Sequence, residues 1–401
     1  MLLALAVVGD AGATEWSLGG RISQALSFET NRNLDEDGDP SFGATTTLNL
    51  VGGLTTDRAS WTARSNLRFR FFTGDDEVDL FSPNVRVNGR VNGQTWQLNP
   101  FLRYRRNNVS FNDLLLIEGD DDIGDGDIGD DGDGGTGDSS AIIVDADATR
   151  TDVNLGSGLS LALSPRNSVA FSGSYALRRF SDDANDLEAS DTFRFSGQVS
   201  RQVTPRTGLF VSGGLAYFQI DDVEETTSFS FSSTVGISRR VSERLAISAS
   251  GGASVTSRNE DNPTPGDDDD DDTSVNGSGR FSIEYLEGDT RFTLGLSQSV
   301  SPSSDGDIRN RLRLRLGLRQ PLDQTKTFSV VGAVTRSSDA FDDDGGGSGR
   351  IVGSISPQIS YSVSEAWRAN LRYTFRFGSD DDDSAISNGV FVTVSRPLSL
   401  Y

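Results

Sequence analysis

The chain has 401 residues and a formal net charge of −23, and it contains neither cysteine nor histidine. The negative charge argues against nucleic-acid binding, because phosphate contacts need exposed Lys and Arg. The missing residue types exclude disulfides, His- or thiolate-ligated metals and the Ser-His hydrolase mechanism, so we do not expect an enzyme.

The first 13 residues predict the remnant of a secretory signal peptide. Leu2–Val8 is a short apolar run, and Ala11, Gly12 and Ala13 form a small-residue cleavage site. The run is too short to cross a bilayer as a helix, which needs about 20 apolar residues. We expect residues 14–401 to form one domain.

Beyond this segment, apolar and polar residues alternate along most of the chain. The alternation is clear in 16–28, 61–71, 209–217, 312–318 and 367–377. Strict alternation predicts strands with one apolar and one polar face. We count about eighteen strands, with sixteen as the alternative, and expect most of them to have about 10–14 residues, enough for a tilted strand to cross a bilayer.

The connections between these strands alternate between long and short. The long ones are 31–41, 73–84, 106–149, 181–190, 221–227, 258–274, 302–309, 337–349 and 379–388, and the short ones are 55–58, 92–94, 164–167, 204–207, 241–244, 287–290, 321–324 and 363–366. The long set holds 47 of the 59 Asp and Glu residues, so the acid is sorted to one set. This asymmetry predicts an all-β fold, a closed up-and-down antiparallel transmembrane β-barrel with long acidic extracellular loops and short periplasmic turns.

Two positions test this arrangement of strands. A tight turn at Asn92-Gly93, a strong hairpin signal, keeps the acidic Gly/Asp-rich insert 106–149 on the long-loop side. Pro357 falls in mid-strand, which predicts a bulge or a misplaced strand. The insert is either a solvated external loop or a plug that folds into the lumen.

Arginine dominates the polar faces of the predicted strands. Alternation places these arginines opposite the apolar stripe, and we expect them to gather on one arc of the barrel, with an arc of Ser and Thr opposite. The predicted pore-lining residues are Arg64, Arg68, Arg70, Arg103, Arg105, Arg311, Arg313, Arg315, Arg319, Arg368, Arg372 and Arg376. A fixed basic wall favours anions; alternatively, these arginines brace the strands through loop carboxylates.

The acidic runs predict solvated loops, with weak divalent-cation binding as the alternative. The longest are 120–122, 267–272 and 380–383. Asn33, Asp35, Asp37 and Gly38 match the first half of a calcium-loop spacing, but Ala44 stands where the bidentate Glu belongs. We expect no other cofactor.

These features together resemble those of Gram-negative outer-membrane β-barrel proteins, porin-like and of a poorly characterised kind. The resemblance rests on Ala11-Gly12-Ala13, the opening stretch 24–34, and a final stretch from Gly389 to Tyr401, which Arg396-Pro397 interrupts. It implies insertion into the outer membrane by the assembly machinery that reads a C-terminal aromatic strand, and contact with outer-membrane lipid and lipopolysaccharide.

The function expected from the sequence is a porin-like channel for small polar solutes, with anions favoured by an Arg-lined lumen. Two alternatives stay open. One is an export barrel for an anionic exopolysaccharide, and the other is a non-conducting structural or adhesion barrel whose loops do the work.

Overall fold

The computed structural model describes residues 14–31, 40–73, 81–108, 149–181, 189–221, 226–260, 271–302, 308–339, 349–379 and 384–399. These ranges contain eighteen β-strands. They are β1 Glu15–Glu29, β2 Ser41–Thr55, β3 Ala59–Phe72, β4 Ser82–Asn92, β5 Trp96–Asn108, β6 Thr149–Ser164, β7 Asn167–Phe180, β8 Ala189–Thr204, β9 Thr207–Asp221, β10 Thr226–Arg240, β11 Leu245–Glu260, β12 Asp271–Glu287, β13 Thr290–Pro302, β14 Ile308–Pro321, β15 Lys326–Asp339, β16 Arg350–Ser362, β17 Arg368–Ser379 and β18 Ser384–Ser399. In the same ranges there is no helix long and apolar enough to cross a membrane.

The strands form one closed antiparallel sheet. Each strand pairs with its neighbours in the chain, and β1 also pairs with β18, from Gly19 opposite Ser399 to Glu29 opposite Gly389. Closure leaves no unpaired edge, which a sheet in hydrocarbon needs. The predicted closed up-and-down barrel is confirmed, with eighteen strands rather than sixteen.

The apolar side chains point outward from this barrel. Leu312 and Leu314 on β14 are each 42% exposed, and Phe193 and Phe195 on β8 are 52% and 44% exposed. Only five hydrophobic residues of the described ranges are buried, whereas a soluble protein of this length would bury a large core. The chain is therefore a transmembrane β-barrel of the outer-membrane type, and its place is the bacterial outer membrane.

All eight predicted short connections lie at one end of the barrel. They are 56–58, 93–95, 165–166, 205–206, 241–244, 288–289, 322–325 and 363–367. The turn at Asn92-Gly93 is confirmed, since the Gly93 N–H donates to the Trp96 carbonyl at 2.7 Å. The start of β1 at Glu15 and the end of β18 at Ser399 lie at this same short-turn end, as an even number of strands requires.

The strands run further toward the long connections than alternation predicted. They contain 11 to 17 residues, and Arg258 pairs with Asp272 within a segment that the sequence assigned to a loop. Outside the bilayer both faces of a strand meet water, so pairing continues where alternation stops. The predicted calcium-like spacing at 33–38, most of the 106–149 insert and the signal segment 1–13 lie outside the described residues.

Pro357 sits in β16 without a bulge, so that prediction was wrong. It lies opposite Val330 of β15, and the register with β17 continues unshifted from Ile355 opposite Phe375 to Gln358 opposite Arg372. The pairs between these two points are missing from the ladder. A proline has no N–H to donate, so it interrupts the bonding to one neighbour and leaves the strand in place.

Most of the short turns are bonded through the backbone to the adjacent hairpin. In six of them the last turn residue accepts a hydrogen bond from the strand that follows the next connection. The carbonyl–amide pairs are Arg58–Asn92, Thr95–Ala162, Arg166–Gln202, Arg206–Arg240, Arg244–Leu286 and Thr325–Ser362, at 2.7 to 2.8 Å. These bonds link neighbouring hairpins around the short-turn rim.

The turn between β14 and β15 is closed by an aspartate. Asp323 Oδ1 accepts bonds from the Thr325 hydroxyl and amide, both at 2.7 Å, and from the Lys326 amide at 2.8 Å. The Thr325 hydroxyl and amide hold the pKa of the Asp323 carboxyl well below its usual range. The Asp323 carboxylate therefore stays ionised, and the turn keeps these hydrogen bonds, at mildly acidic pH.

Gly288 is the residue on which the turn between β12 and β13 depends. Its φ is +59°, in the left-handed region that other residues enter at a cost of about 1–2 kcal/mol.

We expect G288A to lower the free energy of unfolding by about 1 kcal/mol in a urea titration of the detergent-folded barrel. Gly295 in β13 has open space at its Cβ position, so G295A should be neutral. Equal effects of the two substitutions would contradict this assignment.

Candidate functional site: the arginines of the inner face

The twelve predicted pore-lining arginines lie on β3, β5, β14 and β17. On β14, Arg311, Arg313 and Arg315 alternate with the exposed Leu312 and Leu314. The same alternation holds on the other three strands, where the exposed side chains include Phe69, Leu102 and Leu371. These arginines therefore lie on the face opposite the apolar stripe. Their role in lining a conducting pore stays a prediction.

The predicted single basic arc is wrong. β14 lies nine strands from β5 in either direction around the closed sheet, so the two strands stand on opposite walls. β3 to β5 form one basic wall, and β14, with β17 three strands away, forms the other. The β1–β18 contact brings β17 within four strands of β3, but the path through it from β14 to β5 is still nine strands, which is half of the ring.

Exposure of the arginines falls toward the long-connection end on β3, β5 and β17, and on β14 from Arg315 onward. Nearest the short turns, Arg64, Arg315 and Arg368 are exposed, although Arg319 on β14 is only partly so. Toward the other end they become buried, and there Arg70, Arg105, Arg311 and Arg376 are the members less than 10% exposed. The inner face is thus open to solvent near the short turns and closely packed near the long connections.

Three arginines on the first wall are direct cross-strand neighbours. Arg64 lies opposite Arg86, and Arg86 lies opposite Arg103, on β3, β4 and β5. Residues directly opposite have Cβ atoms about 5 Å apart, and like charges there repel. Arg86 donates to the Asn88 side chain at 3.1 Å, and none of the three is without an interaction. The row concentrates positive charge on one level of the wall.

Asp152 gathers three arginines at the long-connection end of the same wall. Its carboxylate lies 2.8 Å from Arg105, 2.9 Å from Arg150 and 3.3 Å from Arg178. All three guanidinium groups are buried, and the carboxylate is partly exposed. One acid among three bases leaves the group net positive, so this cluster fixes cationic side chains rather than cancelling them.

A buried ion pair crosses the closing seam of the barrel. Arg376 on β17 pairs with Glu29 on β1, across β18, and also donates to the Ser387 hydroxyl at 3.1 Å. The three side chains are almost fully inaccessible to solvent. Arg376 is therefore a structural contact between the first strand and the last pair, and of the predicted residues it is the least accessible to a solute.

The predicted polar arc is present, but part of it is packed away from solvent. Ser254 and Thr256 on β11 are buried, and the Thr256 hydroxyl donates to Ser230 at 3.1 Å. Nearby, Phe218, Ile220 and Ile308 form a buried apolar cluster that joins the long-connection ends of β9 and β14. These strands are five apart, so the cluster narrows the interior on the side of the Ser and Thr residues.

Sequence reasoning missed several arginines of the inner face. Arg150 and Arg350 are buried near the starts of β6 and β16, directly after the predicted connections 106–149 and 337–349. Extending the alternation of β6 and β16 by one more pair would have found them. Among the described residues, no group of three or more His, Cys, Asp and Glu is placed to hold a metal ion; the predicted divalent-cation binding by the acidic runs stays a prediction.

No protein-family model and no curated protein matches the chain. Among solved structures, OpdK of Pseudomonas aeruginosa with vanillate is 13% identical, with a TM-score of 0.43 over 95% of this chain and 98% of that one. OccK2 (OpdF) of Pseudomonas aeruginosa with glucuronate is 12% identical, with a TM-score of 0.45 over 96% and 98%. The outer-membrane channel DcaP of Acinetobacter baumannii is 12% identical, with a TM-score of 0.45 over 97% and 99%. Similarities of this size leave the function of this chain to be inferred from its own residues.

The seam pair should be critical for stability. E29Q removes the carboxylate that faces the buried Arg376 guanidinium, and breaking such a pair costs about 3–5 kcal/mol. The measurement is the free energy of unfolding in detergent, by denaturant titration. S387A removes only one neutral acceptor of the same guanidinium and should cost about 1–2 kcal/mol. If E29Q is no worse than S387A, the pair does not stabilise the seam.

Proposed function

We propose that the chain is a porin-like channel for small polar solutes and that its arginines favour anions. The observation that carries the proposal is the placement of solvent-accessible arginines on two opposite walls of a closed barrel. Arg64 on β3 and Arg315 on β14 are exposed although they lie on the face opposite the apolar stripe. Water must reach that face for them to be exposed.

The balance of charge on the inner face supports a preference for anions. Among the described residues, three acids of that face are paired with arginine: Glu29 with Arg376, Asp152 with three arginines, and Glu284 with Arg291 at 2.8 Å. The arginines outnumber them on both walls. Charges of one sign along a pore with low-dielectric walls raise the local concentration of the opposite ion.

Removing charge from one wall should move selectivity toward cations. The variant R311Q/R313Q/R315Q keeps the alternate leucines and hence the fold, and its reversal potential in a salt gradient across a planar bilayer should shift in the cationic direction. The shift should be larger in about 0.1 M salt, where screening extends about 10 Å, than in about 1 M, where it extends about 3 Å. R64Q/R86Q/R103Q, on the opposite wall, should give a shift of the same sign.

The matched control removes three arginines from the outer face. The three are Arg106, Arg179 and Arg336, and all are exposed. Each lies on the outer face, two residues beyond the last outward-facing apolar or aromatic residue of its strand. R106Q/R179Q/R336Q changes the net charge equally and should leave the reversal potential where it is. Unchanged selectivity in both inner-wall variants would reject the anion preference, and absence of conductance in the parent protein would reject the channel.

Removing the clustered acid should act in the opposite direction. D152N leaves Arg105, Arg150 and Arg178 without their shared carboxylate and adds one net positive charge to the inner face. We expect a reversal potential shifted further toward anions, together with a loss of about 3 kcal/mol in unfolding free energy, because three buried guanidinium groups lose their counter-charge. The control is D191N. Asp191 pairs with the exposed Arg179 on the outer face, so its removal should leave selectivity unaltered. A cationic shift in D152N would contradict the proposed electrostatics.

A further inference from the structure

Three consecutive short turns share one sequence pattern and one geometry. They are Ser164-Pro165-Arg166, Thr204-Pro205-Arg206 and Ser242-Glu243-Arg244. In each, the hydroxyl of the first residue accepts the arginine N–H, at 3.3, 3.3 and 3.2 Å. The arginine carbonyl then accepts the backbone bond from the next hairpin. The backbone of each arginine is therefore held from both sides, while its side chain is exposed.

Three further arginines at the ends of β8 and β10 complete a basic patch. The rim arginines are Arg166, Arg201, Arg206, Arg239, Arg240 and Arg244, and all six are exposed. The acids among them are Glu243 and Glu287, the latter bridged to Arg244 at 3.2 Å with both side chains mostly exposed. Six bases against two acids leave a strongly positive surface between β6 and β12.

The rest of the short-turn rim has a different charge. Four of the other five short turns each carry an acid: Asp57, Asp289, Asp323 and Glu365. With Glu15, these acids equal in number the exposed bases of that part of the rim, which are Arg58, Arg90, Lys326, Arg368 and Arg396. The positive surface therefore covers one side of the barrel only. A general need for solubility at the turns would not concentrate charge in this way.

Two of the rim arginines mark the depth of the patch in the membrane. Arg201 lies on the outer face two residues after Val199, and Arg239 lies there two residues after Ile237; Val203 and Val241 follow them at the turns. All four apolar neighbours are more than 40% exposed. A guanidinium group between such side chains at the end of the strand lies where the hydrocarbon meets the headgroups.

We propose that the rim arginines bind the headgroups of anionic phospholipids in the periplasmic leaflet. The ligand must offer a negative group and acyl chains side by side, because Arg201 and Arg239 share the outer face with exposed apolar residues. Guanidinium groups bind phosphate through paired, charge-assisted hydrogen bonds. Strands two apart are separated by about 10 Å, so Arg201 on β8 and Arg239 on β10 can each hold a phosphate.

The test is the binding of a defined lipid to the full-length barrel in non-ionic detergent. Short-chain phosphatidylglycerol and phosphatidylcholine are titrated separately, and bound lipid is counted by native mass spectrometry. R201Q/R239Q should weaken phosphatidylglycerol binding about 30-fold at low salt, about fivefold for each arginine, and leave phosphatidylcholine binding unchanged. R166Q/R206Q, which changes only turn residues, should also weaken phosphatidylglycerol binding. It tests the proposal independently if R201Q/R239Q, which changes strand residues, fails to fold. Folding is verified by the different gel mobility of unheated and boiled samples.

The matched control takes two positive charges from the other side of the rim. R58Q/K326Q should bind phosphatidylglycerol as the parent protein does, since both residues are exposed but lie outside the patch. An equal loss in R58Q/K326Q would mean a diffuse effect of net charge and would overturn the proposal. So would an unchanged preference in both patch variants, or a patch that binds soluble peptidoglycan fragments but shows no preference between the two lipids. None of these readouts depends on conductance.

Discussion

Everything in this barrel depends on the need to pair each backbone N–H and carbonyl inside hydrocarbon, where no water can take their place. An open sheet would expose two edges, so the first and last strands must meet, and β1 and β18 do so over eleven residue pairs. The closed sheet then leaves one face for lipid and one for the interior. That division explains why the residue types alternate, why the apolar residues are exposed, and why the charged ones have only the interior or the two rims to occupy.

The interior inherits an unusual problem from this division. Most of its bases are arginines that stay charged under all ordinary conditions, and acids on the same face are few. Near the long connections the chain buries these groups against Asp152 and Glu29, and near the short turns it leaves them in water. The buried members, such as Arg105 and Arg376, stabilise the barrel. The selectivity that we propose would depend on the exposed ones, Arg64, Arg315 and Arg368.

Alternation and the sorting of acid were enough to predict the strand number, the closure and the two ends, because both follow from local sequence and the bilayer. Strand ends were less predictable, since a paired strand outside the membrane no longer needs an apolar face; the pairing of Arg258 with Asp272 was missed for that reason. The arrangement of the basic walls was predicted wrongly, because which strands face each other is a property of the whole ring. The prediction for Pro357 was wrong because the rule against proline in paired strands assumes that the missing N–H disturbs both neighbours. Here only the ladder with β17 is interrupted, and the pairing with β15 continues.

The backbone bonds from the short turns to adjacent hairpins form a hoop, a row of hydrogen bonds around the short-turn rim of the barrel. Six of the eight short turns are tied to the adjacent hairpin, by a bond to the Arg58, Thr95, Arg166, Arg206, Arg244 or Thr325 carbonyl. A hoop resists changes in circumference, so thermal breathing of the cross-section should be smallest at this rim and grow with distance from it. The diameter of the barrel would then be set at the short-turn end. Exchanging the long connections at the other end should leave that diameter unchanged.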